Sequence, residues 1–306
     1  MKKPLKNVAA SARQRLLNLA RESSRPFDEL LQYYAMERFL YRLSRSRHRD
    51  KVVLKGALMF VVWKAPRSRA TRDIDLLGRT KNAVENLVAM VKEVCAIEVE
   101  PDGMSFLASS VEGQRIKEDA DYAGVRVRFL GKLGQAKAAM QIDFGFGDTI
   151  SPEPGDIDYP TILDMPAPKL RGYPRETVVA EKFEAMTKLG LLNSRMKDFY
   201  DLWLLSEQFD FDGKALGEAI RKTFANRKTE LTDAPVALTD EFAKDAGKIA
   251  QWRAFTRRTK IEAAPKELVD VVAALRKFLP PIAAAVRDGK VDAMQWKAAG
   301  PWGGNP

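Results

Sequence analysis

Two aspartates one residue apart, Asp73 and Asp75 in TRDIDLL, are the first residues of the chain whose spacing could do chemistry. Side chains alternate between the faces of a strand, so both carboxylates project the same way while Ile74 and Leu76 pack behind them. Neighbouring anions repel unless a cation lies between them. Mg²⁺ suits that place, because it takes oxygen ligands, among them one or two carboxylates together with substrate phosphates. A third acid, Asp143 in QIDFGFGD, is flanked by Ile142 and Phe144 and also reads as strand-borne; a carboxylate buried there is costly without a partner. Three such acids converging would form a two-metal centre, with ions about 3.5–4 Å apart that activate one oxygen and stabilise the leaving one. A D-x-D pair alone is also a common pattern of solvated strands, so the surrounding sequence has to decide.

Other chemistries are narrowed by what the chain lacks. It has one cysteine, Cys95, and one histidine, His48, which excludes an internal disulfide framework and a zinc site of thiolates and imidazoles. Any metal must be held by oxygen. Nucleophilic triads and most imidazole-based hydrolysis fall away for the same reason. His48 lies in the arginine-rich run RLSRSRHRD and reads as a solvated surface residue, and Cys95 in VKEVCAIEV as a small buried apolar one.

The 306 residues carry 51 Lys and Arg against 41 Asp and Glu, a net charge of +10, which attracts polyanions. Residues 1–50 alone hold twelve basic residues against five acidic ones. That concentration fits a phosphate-binding face, with Arg42, Arg45, Arg47 and Arg49 as candidate contacts to a phosphate backbone; solvated outer faces of amphipathic helices would give the same excess. No run approaches the ~20 apolar residues of a membrane span. The basic start MKKPLKNVAASARQRL lacks the apolar core of a signal peptide. A cytoplasmic protein with no membrane partner is expected.

The elements that must position the acids follow from periodicity and punctuation. Residues 11–46 predict two helices, the first capped by Ser11 and the second opened by Pro26. In VVLKGALMFVVW a short strand at Val52–Leu54 hands over to a helix near Gly56, and a glycine at such a turn lets backbone N–H groups approach a phosphate. After RDIDLL come a helix from about Asn82 to Val94 and strand-like runs AIEVE, a poor candidate around MSFLASSV, VRVRFL at Val125–Leu130, and Ala138–Phe146. Six prolines between Ser151 and Pro174 predict a linker or wrapping loop. Beyond it the pattern is helical: about 175–189, 195–207, 213–225, 239–258 and 266–286, the last interrupted by Pro280 and Pro281. The fold class expected is α/β (α+β): residues 1–165 as N-terminal helices plus a mixed-sheet domain, 166–300 as a helical domain, and 301–306 as a disordered tail. In the second half Glu181 and Lys182 lie on one helix, and Lys197, Asp198 and Asp201 open the next with the two acids on one face. Bare statistics make Lys182 a solvated lysine and Asp198 an ordinary first-turn acid.

Taken in order, KGALMFVVW, TRDIDLL, QIDFGFGD, AEKFEAM and SRMKDFYDLW resemble the AbiEii/AbiGii-type nucleotidyltransferases, the toxin halves of abortive-infection and type IV toxin–antitoxin systems, including the MenT toxins. The likeness covers roughly residues 10–210, and the order of motifs carries it more than any single one. It implies a polymerase-β-like nucleotidyltransferase fold with Asp73 and Asp75 as the metal pair, Asp143 as the third carboxylate, Lys182 as the nucleotide-phosphate lysine contributed by the helical domain, and Asp198 as the essential acid of K-D-x-x-D. Lys55, Gly56 and Arg72 join Lys182 around the nucleotide, and Arg67 and Arg69 lie close to the acids in sequence. Related transferases often carry Ser after the motif glycine; here Ala57 removes that hydroxyl. The resemblance further implies two Mg²⁺ ions, an NTP substrate with CTP or UTP favoured, a tRNA 3′ acceptor end whose extension blocks aminoacylation and translation, and a cognate antitoxin as partner. Transfer of a nucleotide or phosphate to a protein such as the antitoxin, and a non-catalytic RNA-binding module on the same scaffold, are the alternatives.

Overall fold

The structure is a computed structural model that describes residues 7–65, 70–119, 122–259, 261 and 264–304. It divides into two compact units. The first holds the described residues of Met1–Lys64, Ala70–Gly147 and Gly155–Gly172, and the second those of Asp148–Pro154 and Tyr173–Pro306 together with Ala65.

The first unit starts with α1 (Val8–Ser23), one turn earlier than Ser11 predicts, because the Asn7 side chain accepts the Ala10 N–H at 2.9 Å and caps it. Helix α2 (Phe27–Ser44) follows and is buried on nearly every face from Leu30 to Leu43. Then come β1 (Val52–Lys55), α3 (Leu58–Val62), β2 (Ile74–Gly78), α4 (Val84–Cys95), β3 (Met104–Asp119), β4 (Tyr122–Leu133), β5 (Ala136–Gly145), β6 (Gly155–Asp158) and β7 (Lys169–Gly172). They form one seven-stranded mixed sheet in the order β3-β4-β5-β2-β1-β7-β6, in line with the expected α/β class. AIEVE does not form the expected strand, whereas the poor candidate MSFLASSV opens the long β3, because the β3–β4–β5 meander supplies its partners. The proline-rich segment is more than a linker: it carries β6 and β7, and β7 pairs in parallel with β1. That pairing places the end of the first unit at Gly172, beyond the boundary at 165 that composition suggests.

Two pairings decide where the acids fall. β1 and β2 run antiparallel with Lys55 opposite Asp75, and β2 and β5 run parallel with Ile74 opposite Ile142 and Asp75 opposite Asp143. Ile74, Leu76, Ile142 and Phe144 are buried, as the alternation predicts. α2 packs on β5, and Phe39 meets Phe129 and Phe106 at ring centroid distances of 4.9 and 5.6 Å.

A helix buried on all sides leaves its charged residues nowhere to go but into internal pairs. Arg42 is buried and binds Asp102 through both nitrogens at 2.7 and 3.2 Å. The expected role of Arg42 as a phosphate-backbone contact is therefore corrected: its guanidinium is spent inside the fold. Glu37 accepts the Ile162 N–H at 2.6 Å and lies 2.9 Å from Arg38, which donates to the Pro166 carbonyl at 2.8 Å. These two bonds tie the proline-rich segment to α2. Burial pushes the Glu37 carboxyl up to about 7, against the opposing pull of Arg38 and of the Ile162 N–H.

The second unit contains α5 (Arg175–Leu189), α6 (Met196–Gln208), β8 (Phe211–Asp212), α7 (Gly213–Arg227), α8 (Asp240–Lys244), α9 (Ala246–Thr259), α10 (Leu268–Asp288), β9 (Met294–Trp296) and β10 (Trp302–Gly304). The single helix expected over 239–258 breaks at Asp245, whose backbone is extended. α10 runs unbroken through Pro280 and Pro281, since Phe278, Leu279 and Ile282 are fully buried and their packing outweighs the ~3 kcal/mol a mid-helix proline costs. The expected disordered tail is also corrected: Trp302–Gly304 pairs with β9, the Trp302 ring stacks on Phe278 at 5.8 Å, and its Nε1 donates to the Phe278 carbonyl at 2.8 Å. No helix among the described residues is long and apolar enough to cross a membrane.

Two outcomes follow for stability. Trp302→Ala is expected to lower stability by about 2–3 kcal/mol, read as a fall in the urea midpoint, whereas an unstructured end would leave the midpoint unchanged. Glu37 binds its proton more tightly when folded, so its stabilising contribution is full below pH 4.5 and is lost as pH rises through about 7. Stability of Glu37→Gln relative to the unaltered protein should therefore improve steadily across that window; a pH-independent difference would show that Glu37 keeps an ordinary affinity for protons.

Candidate active site

In the first unit, β1 ends in a turn at Gly56, whose φ of +71° lies in the left-handed region. A Cβ on this residue would sit 1.9 Å from Oδ2 of Asp75, so the Asp75 carboxylate rests directly on the glycine backbone. Asp73 falls just before β2 and accepts a hydrogen bond from the Thr71 hydroxyl. The Thr71 N–H in turn donates to the Tyr33 hydroxyl at 3.1 Å. Gln32 of α2 donates to the Arg72 carbonyl at 3.2 Å and to the Ala139 carbonyl at 3.0 Å, clamping the run into β2 against β5. Asp143 completes the group: ligand-capable atoms of Asp73, Asp75 and Asp143 all lie within 4.8 Å of one another, with Asp143 buried and the other two half-buried. The three acids singled out by spacing are thus brought together on the β2–β5 pair.

Arg126 of β4, which sequence reasoning passed over, stands opposite Asp143 in register and grips it through Nε and Nη2 at 2.8 and 2.7 Å. Gln141 Nε2 reaches the same carboxylate at 3.4 Å. The hydrogen bond to Asp143 raises the Arg126 pKa, with Asp73 and Asp75 adding to the effect. The signal was present in VRVRFL, whose alternation sets Arg126 and Arg128 on one face, but only the β4–β5 register reveals which acid Arg126 meets.

Lys55 lies half-buried across from Asp75, Arg72 is exposed, and Ala57 is buried at the start of the five-residue α3. Arg67 and Arg69 lie outside the described residues. Among the remaining basic candidates, Arg45 is exposed, Arg47 is exposed and bonded to Glu93 at 2.8 and 3.0 Å, and Arg49 is 3.6 Å from Asp156. His48 is buried rather than solvated, with Nε2 2.7 Å from Glu93, because the turn after α2 folds its ring against α4.

In the second unit, Lys182 of α5 is held by both acids of the next helix: Asp198, in a short contact, and Asp201 at 2.9 Å. Arg195 adds a second cation at 2.8 Å from Asp198. Burial alone would raise the Asp198 carboxyl, but Lys182 and Arg195 outweigh it and hold it down at about 2, so the acid stays ionised. A neighbouring buried network, Arg227 with Glu184 at 2.9 Å and Asp148 at 3.0 Å, also escaped the sequence reading, since its members are 36 and 43 residues apart or more.

A family model described as nucleotidyl transferase AbiEii toxin, type IV TA system, matches residues 38–286. Among solved structures, JHP933 from Helicobacter pylori is similar over 86% of this chain and 93% of its own, at 15% identity and a TM-score of 0.47. A second H. pylori structure, described provisionally as a nucleotidyltransferase, is similar over 85% of this chain and 95% of its own, at 14% identity and a TM-score of 0.46. No curated protein matches the chain. The family match spans most of the sequence and takes in Gly56, the three aspartates, Lys182 and Asp198, and on that match the chain belongs to the AbiEii nucleotidyl transferase toxin family of type IV toxin–antitoxin systems.

Proposed function

We propose that the chain is a Mg²⁺-dependent nucleotidyltransferase that transfers pyrimidine nucleotides, from CTP or UTP, to the 3′ acceptor end of tRNA. The convergence of Asp73, Asp75 and Asp143 against the Gly56 turn carries this reading. All three offer hard oxygen donors, and their spacing fits a small divalent cation, so Asp73, Asp75 and Asp143 are the residues that would hold Mg²⁺. When bound, the metal supplies positive charge for the triphosphate and activates the attacking oxygen.

The chain's own residues have distinct tasks in this reading. The tRNA 3′-hydroxyl oxygen bonds to the α-phosphorus, the bond from that phosphorus to the bridging oxygen of the β-phosphate breaks, and pyrophosphate leaves with the electron pair. The hydroxyl proton passes to Asp143. The backbone at Gly56 approaches the phosphates without a side chain in the way, and Lys55 and Arg72 supply positive charge beside them. Lys182, oriented by Asp198 and Asp201, serves as the triphosphate lysine. The exposed Arg45 faces the tRNA backbone, which makes binding weaken with salt. A tRNA extended at its acceptor end is not aminoacylated, so translation stops, the effect expected of a cytoplasmic toxin restrained by an antitoxin in phage defence.

Purified protein incubated with total tRNA, Mg²⁺ and each labelled NTP in turn should label tRNA from CTP or UTP, and Asp75→Ala should leave it unlabelled while its circular dichroism spectrum is unchanged. Label on a protein instead of RNA would transfer the reading to protein modification, and no label anywhere from folded protein would overturn catalysis. Gly56→Ala should reduce labelling at least 10²-fold, because the added Cβ both displaces the Asp75 carboxylate and disfavours the left-handed turn by about 1–2 kcal/mol. Labelling at the unaltered rate would show that the close approach of Asp75 to this turn is dispensable.

A further inference from the structure

Arg126 poses a conflict that the metal reading does not resolve. It donates to both oxygens of Asp143, at 2.8 and 2.7 Å, and such a fork occupies the two lone pairs that lie between the oxygens. Asp143 is at the same time the buried member of the acid triad, with oxygens within 4.8 Å of those of Asp73 and Asp75. A cation shared by all three acids reaches Asp143 only through the lone pairs the fork leaves, and Arg126 adds a positive charge close to the position that cation would take. Arg126 is more exposed than its partner, with 28% of its side chain accessible against 9% for Asp143, so the guanidinium can swing towards solvent while the carboxylate stays fixed in β5.

We propose that Arg126 is the internal counter-ion of the acid triad and a gate on metal binding: it holds Asp143 when no metal is present and releases it when a divalent cation is taken up. The inference rests on the metal reading above. It assigns Arg126 a positioning role, acting through Asp143. Its consequence is that metal affinity is set below what three carboxylates would give alone, so that full occupancy waits for the additional oxygens of a triphosphate. A protein whose activity harms its own cell would in this way stay poorly metallated without nucleotide.

The test is direct binding of Mn²⁺ to the full-length protein without nucleotide, followed by calorimetry or by the loss of free Mn²⁺ signal in electron paramagnetic resonance. Arg126→Gln is expected to bind Mn²⁺ at least about 10-fold more tightly than the unaltered protein. Arg126→Lys, which keeps the charge but loses the fork, should fall between the two. Thermal unfolding with and without Mn²⁺ gives a second readout: Arg126→Gln should start less stable, with Asp143 unpaired, and gain more from the metal. Equal or weaker Mn²⁺ binding by folded Arg126→Gln and Arg126→Lys, with Asp75→Ala failing to bind, would overturn the gate and leave the metal site standing. If the unaltered protein bound no Mn²⁺ and neither arginine variant gained binding, the metal reading itself would fall, and the gate with it.

Discussion

Parallel pairing of β2 with β5 sets Asp75 beside Asp143, and with Asp73 two residues earlier it concentrates three carboxylates within 4.8 Å. Two unit charges at that separation repel by roughly 3–4 kcal/mol at an effective dielectric constant near 20. Apolar residues at the same register positions would stabilise the sheet more. The surroundings soften the repulsion in three ways. Arg126 neutralises Asp143, the Thr71 hydroxyl bonds Asp73, and Asp73 and Asp75 keep partial contact with water. The left-handed turn at Gly56 belongs to the same arrangement, because any side chain there would fill the space the Asp75 carboxylate occupies. These features together read as an arrangement kept for chemistry at the expense of stability.

Helix α2 is what holds that arrangement in place. Its aromatic face packs on the sheet, and its polar residues each secure a segment that lacks regular structure of its own. Gln32 joins the run before β2 to β5, Glu37 and Arg38 anchor the proline-rich segment, and Arg42 fixes the turn at Asp102 that leads into β3. Much of the positive charge that composition concentrates in the first fifty residues is therefore structural. Arg38 and Arg42 are buried, and Arg47 and Arg49 face acids. A basic segment advertises a polyanion partner only to the extent that its charges remain at the surface, and among Arg42, Arg45, Arg47 and Arg49 the clearest case is Arg45.

The acids were legible because D-x-D on a strand and an isolated aspartate between apolar residues are local patterns, and so was the glycine turn. The helices of the second unit were legible from periodicity, with errors where packing overrides propensity: Pro280 and Pro281 sit inside an unbroken helix because Phe278, Leu279 and Ile282 are buried around them. What sequence concealed was everything set by long-range pairing. Arg126 and Asp143 are 17 residues apart and meet only through the β4–β5 register, and Arg42 and Asp102 are 60 apart. His48 and Trp302 misled for a related reason. Both sit in stretches whose neighbours are polar or small, yet His48 meets Glu93 and Trp302 meets Phe278 and Trp296, contacts that nothing local announces.

The two charged clusters differ in a way that bears on what each can do. In the second unit Lys182 meets both Asp198 and Asp201 and Arg195 meets Asp198, and the pairing keeps Asp198 ionised although it is completely buried. These contacts hold the Lys182 ammonium against two carboxylates of the next helix. In the first unit Arg126 grips one of the three carboxylates and Lys55 stands across the strand pair from another. On the proposed metal reading a divalent ion would add to these partners, because such an ion takes oxygen ligands from carboxylates and from a phosphate at once.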